Sequence, residues 1–191
     1  MKYSMKFRIW HWLNAIVVVL LLATVFLRKT FLSWRTNSEI IVNQLSSIGV
    51  DITSVQAKVI AKAIRSGMWE WHIILGYMLM FLIVYRIYLF YKDDSKIDTF
   101  SSLNMHKKMV RISYFIFYGV ILFMSISGFS IYFHTAIGLS DEFAHDIKEI
   151  HEAVYPVIYI FVLLHISGVV IAENRDEKGI VSSMINGEKP Q

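Results

Sequence analysis

Two histidines stand in a stretch that is otherwise apolar and long enough to cross a membrane. The stretch IHEAVYPVIYIFVLLHISGVVIA carries His151 and His165. An unsatisfied polar group in lipid costs several kcal/mol, so each imidazole must hydrogen-bond, ionise or bind a ligand. Fourteen residues of helix bring the second histidine to within about 40° of the first and about 21 Å along the axis. The pair therefore shares one helix face, with one histidine towards each side of the bilayer.

Two further histidines are candidate partners at matching levels. His11 lies in RIWHWLNA at the start of the first apolar run, and His72 lies in MWEWHIILGY at the start of the second. If successive runs alternate in direction, His11 reaches the level of His165 and His72 that of His151. Facing imidazoles in a helical bundle are the axial ligands that a six-coordinate haem iron requires. The pattern predicts two bis-histidine haems, stacked as a path for electrons.

A simpler explanation exists for single histidines at helix ends. Such residues are often interfacial and hydrogen-bonded to water or lipid headgroups, and this applies individually to His11, His72 and His151. It does not suit His165, because two turns of apolar sequence separate that residue from the nearer end of its run. Ionisable residues within a membrane are functional candidates by default. Depth, shared face and matching partners together favour the ligand hypothesis.

The elements that must position these histidines are membrane-spanning helices. Of the 191 residues, 55% are hydrophobic, and the apolar residues are grouped in runs near the ~20 residues that a ~30 Å hydrocarbon core requires. We predict an all-α integral membrane four-helix bundle, forming one domain over residues 1–191. Its predicted spans are Ile9–Leu27, Ile73–Tyr91, Ile112–Phe133 and Val154–Ala172.

The connection between the first two spans predicts a helical insert at about residues 36–67. Thr53 and Gln56 have the spacing of a capping box, and Gly67 is expected to end the helix that follows. NSEIIVNQLSSIG predicts a shorter partner helix that ends near Gly49. This hairpin could rest on the outer membrane surface or cap the bundle, or it could form a docking platform for an extracytoplasmic partner.

Basic residues in the flanks predict the orientation. They precede the first span and occupy the second connection, whereas the third connection, roughly His134 to Glu152, is mainly acidic. The positive-inside rule therefore places both termini on the inner, cytoplasmic side of the membrane and the acidic third connection on the outer side. Arg28-Lys29 follow the first run without a cleavage site, so we expect a retained helix rather than a signal peptide. The basic residues of the two inner flanks are Lys2, Lys6, Arg8, Lys92, Lys96, Lys107, Lys108 and Arg111.

The absence of cysteine restricts the cofactor. It excludes disulfides, thiolate iron–sulfur clusters, cysteine-bound zinc and covalently attached c-type haem, while haem b remains allowed. The net charge of +4 is explained by topology and lipid contact. No basic patch interleaved with aromatic residues suggests nucleic acid as a partner.

Other polar residues near the histidines are candidates for supporting roles. Cations at a haem edge could pair with propionates, although Arg86 could instead extend to the membrane surface. Histidines beside a haem could exchange protons with a quinone, although solvated histidines are common. The candidate propionate partners are Arg8, Arg86, Lys107 and Arg111, and the candidate quinone or proton groups are His106 and His134.

Four short motifs, one in each span, carry a family resemblance. RIWHW, WHIILGY, SISG and HEAVYPVIYIFVLLHISG resemble the bacterial cytochrome b561 and nickel–iron hydrogenase b-type cytochrome superfamily. The resemblance implies a four-helix diheme cytochrome b in the bacterial inner membrane. Such a protein passes electrons along the respiratory chain between the quinone pool and a redox partner, often a periplasmic enzyme subunit. The resemblance also implies that His11 and His165 bind one haem iron and that His72 and His151 bind the other.

Two other functions remain as alternatives to this electron carrier. One is a self-contained superoxide or quinone oxidoreductase of the same superfamily, although an electron-transfer subunit is favoured over a stand-alone enzyme. The other is a non-redox membrane anchor or a transporter whose histidines relay protons. That alternative is least favoured, because no Asp or Glu falls within any predicted span. Assembly into a homo-oligomer is left open.

Overall fold

Helices make up all the regular structure in the part of the chain that the computed structural model describes, residues 3–92, 103–175 and 178–187. Lys2 and Lys96, two of the predicted inner basic residues, lie outside it. Four helices are long and apolar enough to cross a membrane, α1, α3, α4 and α5, which confirms the predicted all-α integral membrane fold class. The helices are α1 (Met5–Lys29), α2 (Trp34–Ser47), α3 (Ser54–Lys92), α4 (Met105–Tyr132), α5 (Asp141–Asn174) and α6 (Ile180–Ile185).

The helical insert differs from its prediction at one end. The capping box is present, since Thr53 N donates to Gln56 Oε1 at 2.8 Å and Gln56 N donates to Thr53 Oγ1 at 3.2 Å. The predicted helix end at Gly67 is wrong, because α3 continues through this residue to Lys92. One interior glycine costs only about 1 kcal/mol, less than breaking a helix that has good helix formers on both sides. The insert therefore consists of α2 and the first turns of α3, and α3 continues without a break into the second predicted span.

The chain forms two compact units. The first contains Met1–Asn14 and Leu79–Gln191, and the second contains Ala15–Met78. Within the first, α4 packs along α5 and α5 contacts α6. Within the second, the ring of Trp34 on α2 lies 4.7 Å from the Nζ atom of Lys58 on α3. This cation–π contact joins the two helices of the insert.

The start of α5 lies further upstream than the apolar run suggests. Ser140 caps the helix by accepting a hydrogen bond from Phe143 N at 3.2 Å, and acidic residues occupy the first turn. Both features favour a helix N-terminus. Most of the predicted acidic connection is therefore helical, and His151 lies ten residues inside α5 rather than at its start.

The short helix α6 is held at both ends. Glu173 accepts hydrogen bonds from Gly179 N at 2.9 Å and Val181 N at 3.0 Å, which satisfies amide groups at the helix start. At the other end, Arg8 Nη1 donates to the Ile185 carbonyl at 2.9 Å. Trp12 Nε1 donates to the Met184 carbonyl at 3.2 Å. The C-terminal segment thus contacts the helix turn that carries His11.

Candidate cofactor-binding site

His11 and His165 come together in the first unit. The centres of their rings are 6.2 Å apart and the ring planes are inclined by 58°. His11 is held in place through its neighbour Trp10, whose indole N donates to the Leu82 carbonyl on α3 at 2.8 Å. The structure thus unites two histidines that are separated by most of the chain.

The spacing of these rings fits a metal held between two imidazoles. Metal–imidazole bonds of about 2.0 Å, with about 1.1 Å from nitrogen to ring centre, place two facing rings about 6 Å apart. In addition, His11 Nδ1 and Asn14 Oδ1, one helix turn apart on α1, are buried and have no hydrogen-bond partner among the described residues. Buried polar atoms rarely stay unpartnered. Both observations fit a site that binds a further group.

Aromatic side chains line this pair. The Phe161 ring lies nearly parallel to that of His165, at 6° and 5.9 Å between centres, and Phe117 stacks on Phe161 at 4.0 Å. The Tyr114 hydroxyl is 3.5 Å from His165 Nδ1, at the long limit for a hydrogen bond. On α1, the ring of Trp12 meets His11 edge-on at 5.3 Å. Flat, apolar walls of this kind suit a planar, largely apolar cofactor.

His72 belongs to the second unit and has a hydroxyl partner there. Thr24 Oγ1 lies 2.7 Å from His72 Nδ1. Trp69 meets the imidazole edge-on at 5.5 Å, and the guanidinium of Arg28 lies over the Trp69 ring at 5.2 Å. Polar and aromatic contacts therefore both orient this histidine.

His151 belongs to the first unit and also has a hydroxyl partner at Nδ1. Ser127 Oγ lies 2.8 Å from His151 Nδ1. A Cβ atom added to Gly128 would lie 3.4 Å from His151 Cε1, which is van der Waals contact, so the imidazole packs closely against α4. The pairing of His72 with His151 stays a prediction.

The candidate propionate partners have diverse surroundings. Arg86 lies among three aromatic rings, with Cζ at 5.1 Å from the centre of Phe7, 5.3 Å from Trp10 and 5.7 Å from Tyr118. These aromatic contacts give Arg86 a packing role in addition to the two roles considered from the sequence, a propionate partner and a side chain extended to the surface.

The other three candidates lie near the ends of α1 and α4. Arg8 donates a hydrogen bond to the Ile185 carbonyl. Lys107 is exposed at the start of α4 and Arg111 is half-buried one turn later. A role in binding propionate stays a prediction for all four.

The candidate proton-exchange histidines lie near opposite ends of α4. His106 is exposed in the first turn. His134, two residues beyond the helix, has Nδ1 at 2.9 Å from the Ile131 carbonyl and Nε2 at 3.0 Å from Asp141 Oδ1. Both nitrogens of His134 thus already face acceptors, whereas His106 is open to a ligand. Proton exchange stays a prediction for each.

Four polar residues accompany the histidines and were not predicted from the sequence. These are Asn14, Thr24, Tyr114 and Ser127. Each lies within a predicted span, and Thr24 and Ser127 are buried, at 7% and 4% exposure. A hydroxyl or amide inside an apolar run often hydrogen-bonds across to a neighbouring helix, so these residues were a weak but usable signal. Ser127 even lies within the quoted motif SISG.

One comparison with known proteins gives a match. A family model described as prokaryotic cytochrome b561 covers residues 2–187. No curated protein and no solved structure matches the chain. Because the family match spans almost the whole sequence, the chain belongs to the prokaryotic cytochrome b561 family. It is accordingly a membrane cytochrome that binds b-type haem and takes part in electron transfer.

Proposed function

We propose that this member of the prokaryotic cytochrome b561 family carries electrons across the bacterial inner membrane through two b haems. In this proposal His11 and His165 bind one haem iron, and His72 and His151 bind the other. The observation that carries the proposal is the 6.2 Å separation of the His11 and His165 ring centres, which matches two imidazoles on one metal. The proposed route connects the quinone pool with a periplasmic redox partner.

The chain's own residues supply ligands, spacing and an apolar environment. Each bound haem supplies a one-electron couple between ferric and ferrous iron. His151 and His165 lie about 21 Å apart along α5, so the two proposed haems would lie at different depths, one towards each side of a ~30 Å hydrocarbon core. The stacked rings of Phe117 and Phe161 place apolar surface beside His165 at that level.

Charge at the helix ends supports an orientation. Lys6, Arg8, Lys107 and Lys108 flank the ends of α1 and α4 nearest to the His11–His165 pair. Asp141 and Glu142 begin α5 at the end nearer to His151. By the positive-inside rule we place the His11–His165 level and both termini towards the cytoplasm. The level of His72 and His151 is then periplasmic.

Contacts of the two candidate proton-exchange histidines support a position for the quinone. A quinone accepts or releases protons with its electrons, so its site needs an accessible acid or base. His106 is exposed at the cytoplasmic end of α4 in the proposed orientation, whereas both nitrogens of His134 face acceptors. The contacts therefore favour quinone chemistry at the His106 end, which leaves the periplasmic end for the redox partner.

Haem content in purified variants tests the ligand assignment. The wild-type protein should contain two haems b per chain by pyridine haemochrome assay and show a redox-active α-band. His11→Ala and His165→Ala should each lose the same spectral component, and His72→Ala and His151→Ala should each lose the other. His145→Ala is the matched control, since this exposed histidine of α5 contacts Glu149 at 3.9 Å and has no other polar partner in the described part of the chain. A wild-type protein without haem, or a His165→Ala variant that keeps both components, would refute the proposal.

A further inference from the structure

Two buried hydroxyl groups contact histidines that we assign as haem ligands. We propose that Thr24 and Ser127 are positioning residues that hold His72 and His151 as the tautomer protonated at Nδ1, so that Nε2 is the nitrogen directed to iron. This inference rests on the proposed function, because that proposal assigns the two histidines as ligands. It adds the residues that set the protonation pattern of those ligands.

The hydrogen bonds of Thr24 determine the direction of its contact with His72. Thr24 Oγ1 lies 2.6 Å from the Leu21 carbonyl and 2.7 Å from His72 Nδ1. A hydroxyl has one proton, and a carbonyl oxygen can only accept, so Thr24 donates that proton to Leu21. The hydroxyl oxygen must then accept the second hydrogen bond from His72. His72 therefore carries a proton on Nδ1.

Ser127 repeats this arrangement on another helix. Its Oγ lies 2.7 Å from the Phe123 carbonyl, 3.2 Å from the Met124 carbonyl and 2.8 Å from His151 Nδ1. The hydroxyl proton again goes to a backbone carbonyl, which leaves the oxygen to accept from His151. Back-bonding of serine or threonine to its own helix is common. The added contact with an imidazole is what distinguishes these two residues.

The tautomer matters because metal binding needs an unprotonated nitrogen. A neutral imidazole with its proton on Nδ1 has its lone pair on Nε2, and a hydrogen bond from Nδ1–H orients the ring and increases its basicity. Thr24 and Ser127 are 7% and 4% exposed, so water cannot easily replace their hydroxyls. The ligand nitrogen is thus selected before the haem binds.

The His11–His165 pair lacks an equivalent arrangement. His11 Nδ1 has no hydrogen-bond partner among the described residues, and Tyr114 is 3.5 Å from His165 Nδ1. Stronger imidazole donors favour ferric over ferrous iron and therefore lower the reduction potential. We expect the haem held by His72 and His151 to have the lower potential. Electrons would then pass downhill from the periplasmic level to the cytoplasmic one.

Matched substitutions separate the hydroxyl from the side-chain volume. Thr24→Val and Ser127→Ala remove the hydroxyls, while Thr24→Ser keeps one. Thr30→Val and Ser130→Ala are controls, because among the described residues these hydroxyls bond only to the Phe26 and Ile126 carbonyls, at 2.7 Å and 3.0 Å. Each full-length protein is purified with its haems, and the two potentials are measured by redox titration of the α-band. Haem retention is measured in parallel.

Thr24→Val and Ser127→Ala should each raise the potential of one haem, the one that is missing in His151→Ala. Loss of an outer-shell partner commonly weakens metal binding 10–100-fold. If the ferric state is weakened about tenfold more than the ferrous state, the potential rises by about 59 mV. Thr24→Ser should restore the wild-type potential, and both controls should leave it unchanged.

The outcomes distinguish this inference from the ligand assignment on which it rests. If His72→Ala and His151→Ala keep both haems, the ligand assignment itself fails. If those variants lose a haem while Thr24→Val and Ser127→Ala behave like the controls, only the tautomer inference fails. A shift in the haem that is missing in His165→Ala also overturns it. If Thr24→Val does not accumulate in the membrane, Ser127→Ala decides the question from its own helix.

Discussion

The cluster around Arg86 should stabilise the helix end that carries His11. Trp10 is 3% exposed, donates to the Leu82 carbonyl at 2.8 Å and lies 5.3 Å from the Arg86 guanidinium. Trp10→Phe removes the hydrogen bond but keeps a ring, whereas Trp10→Leu removes both contacts. Arg86→Met removes the cation. Because His11 follows Trp10 directly, loss of these contacts should disturb the His11–His165 pair first. The haem held by this pair should be released at a lower denaturant concentration than the one at which the other helices unfold.

Each contact has an expected size. Hydrogen bonds between membrane helices average about 0.6 kcal/mol and reach about 1.7 kcal/mol, so Trp10→Phe should destabilise the fold by about 1 kcal/mol. Cation–π contacts contribute about 0.5–2 kcal/mol each, depending on solvation. Arg86→Met, which loses contacts with three rings, should therefore cost about 1.5–6 kcal/mol when the three contacts are taken as additive. In a Trp10→Leu background this cost should fall by about 0.5–2 kcal/mol, since one contact is already gone.

Titration with SDS in detergent micelles measures these effects. Circular dichroism follows the helices, and Soret absorbance follows haem loss. The haem released first from Trp10→Phe should be the one that is missing in His165→Ala. Trp71→Phe is the matched control, because Trp71 on α3 is 66% exposed. Equal midpoints for Trp10→Phe and Trp71→Phe, or earlier loss of the other haem, would refute the reasoning.

Two further predictions concern backbone features outside the histidine sites. Gly187 has φ +83°, and an added Cβ would lie 2.9 Å from Arg8 Cζ. Gly187→Ala should therefore cost about 1–2 kcal/mol in strain. It should also make limited proteolysis of the C-terminal segment faster. Gly138→Ala has similar strain at φ +75°, but an added Cβ would meet no atom of the described residues within 4 Å apart from its chain neighbours. It should leave that proteolysis unchanged. Asn104 caps α4 by accepting from Lys107 N at 2.9 Å, so Asn104→Ala should lower stability by about 1 kcal/mol in an SDS titration. Asn104→Ser should recover most of that loss, and equal midpoints for the two substitutions would contradict a capping role.

The membrane spans could be predicted from the sequence because lipid imposes a local rule. Every backbone polar group within a span must bond inside its own helix, so the length of an apolar run nearly sets the length of the element. Residues 73–91 lie wholly within α3 for this reason. The same rule does not apply outside the hydrocarbon core, where α3 continued through Gly67 and α5 began at Asp141.

The histidine positions were predictable to the level of a helix face. Helical periodicity places His151 and His165 on one side of α5, and alternating spans bring His11 to the level of His165. Rotation about each helix axis is not set by periodicity, so the 6.2 Å separation of His11 and His165 required the tertiary structure. Arg86 shows the same limit, since its sequence position did not indicate three aromatic neighbours from α1 and α4.

By itself the sequence determined the class of protein, the four spans, the absence of thiol ligands and the imidazoles available to a haem. These properties depend on composition and on spacing along one helix. The tertiary structure decided which side chains meet, including Thr24 with His72, 48 residues apart, and Ser127 with His151, 24 residues apart. Such contacts depend on how helices rotate and pack against each other, and many rotations bury an apolar surface equally well in lipid. Only the tertiary structure distinguishes among these rotations.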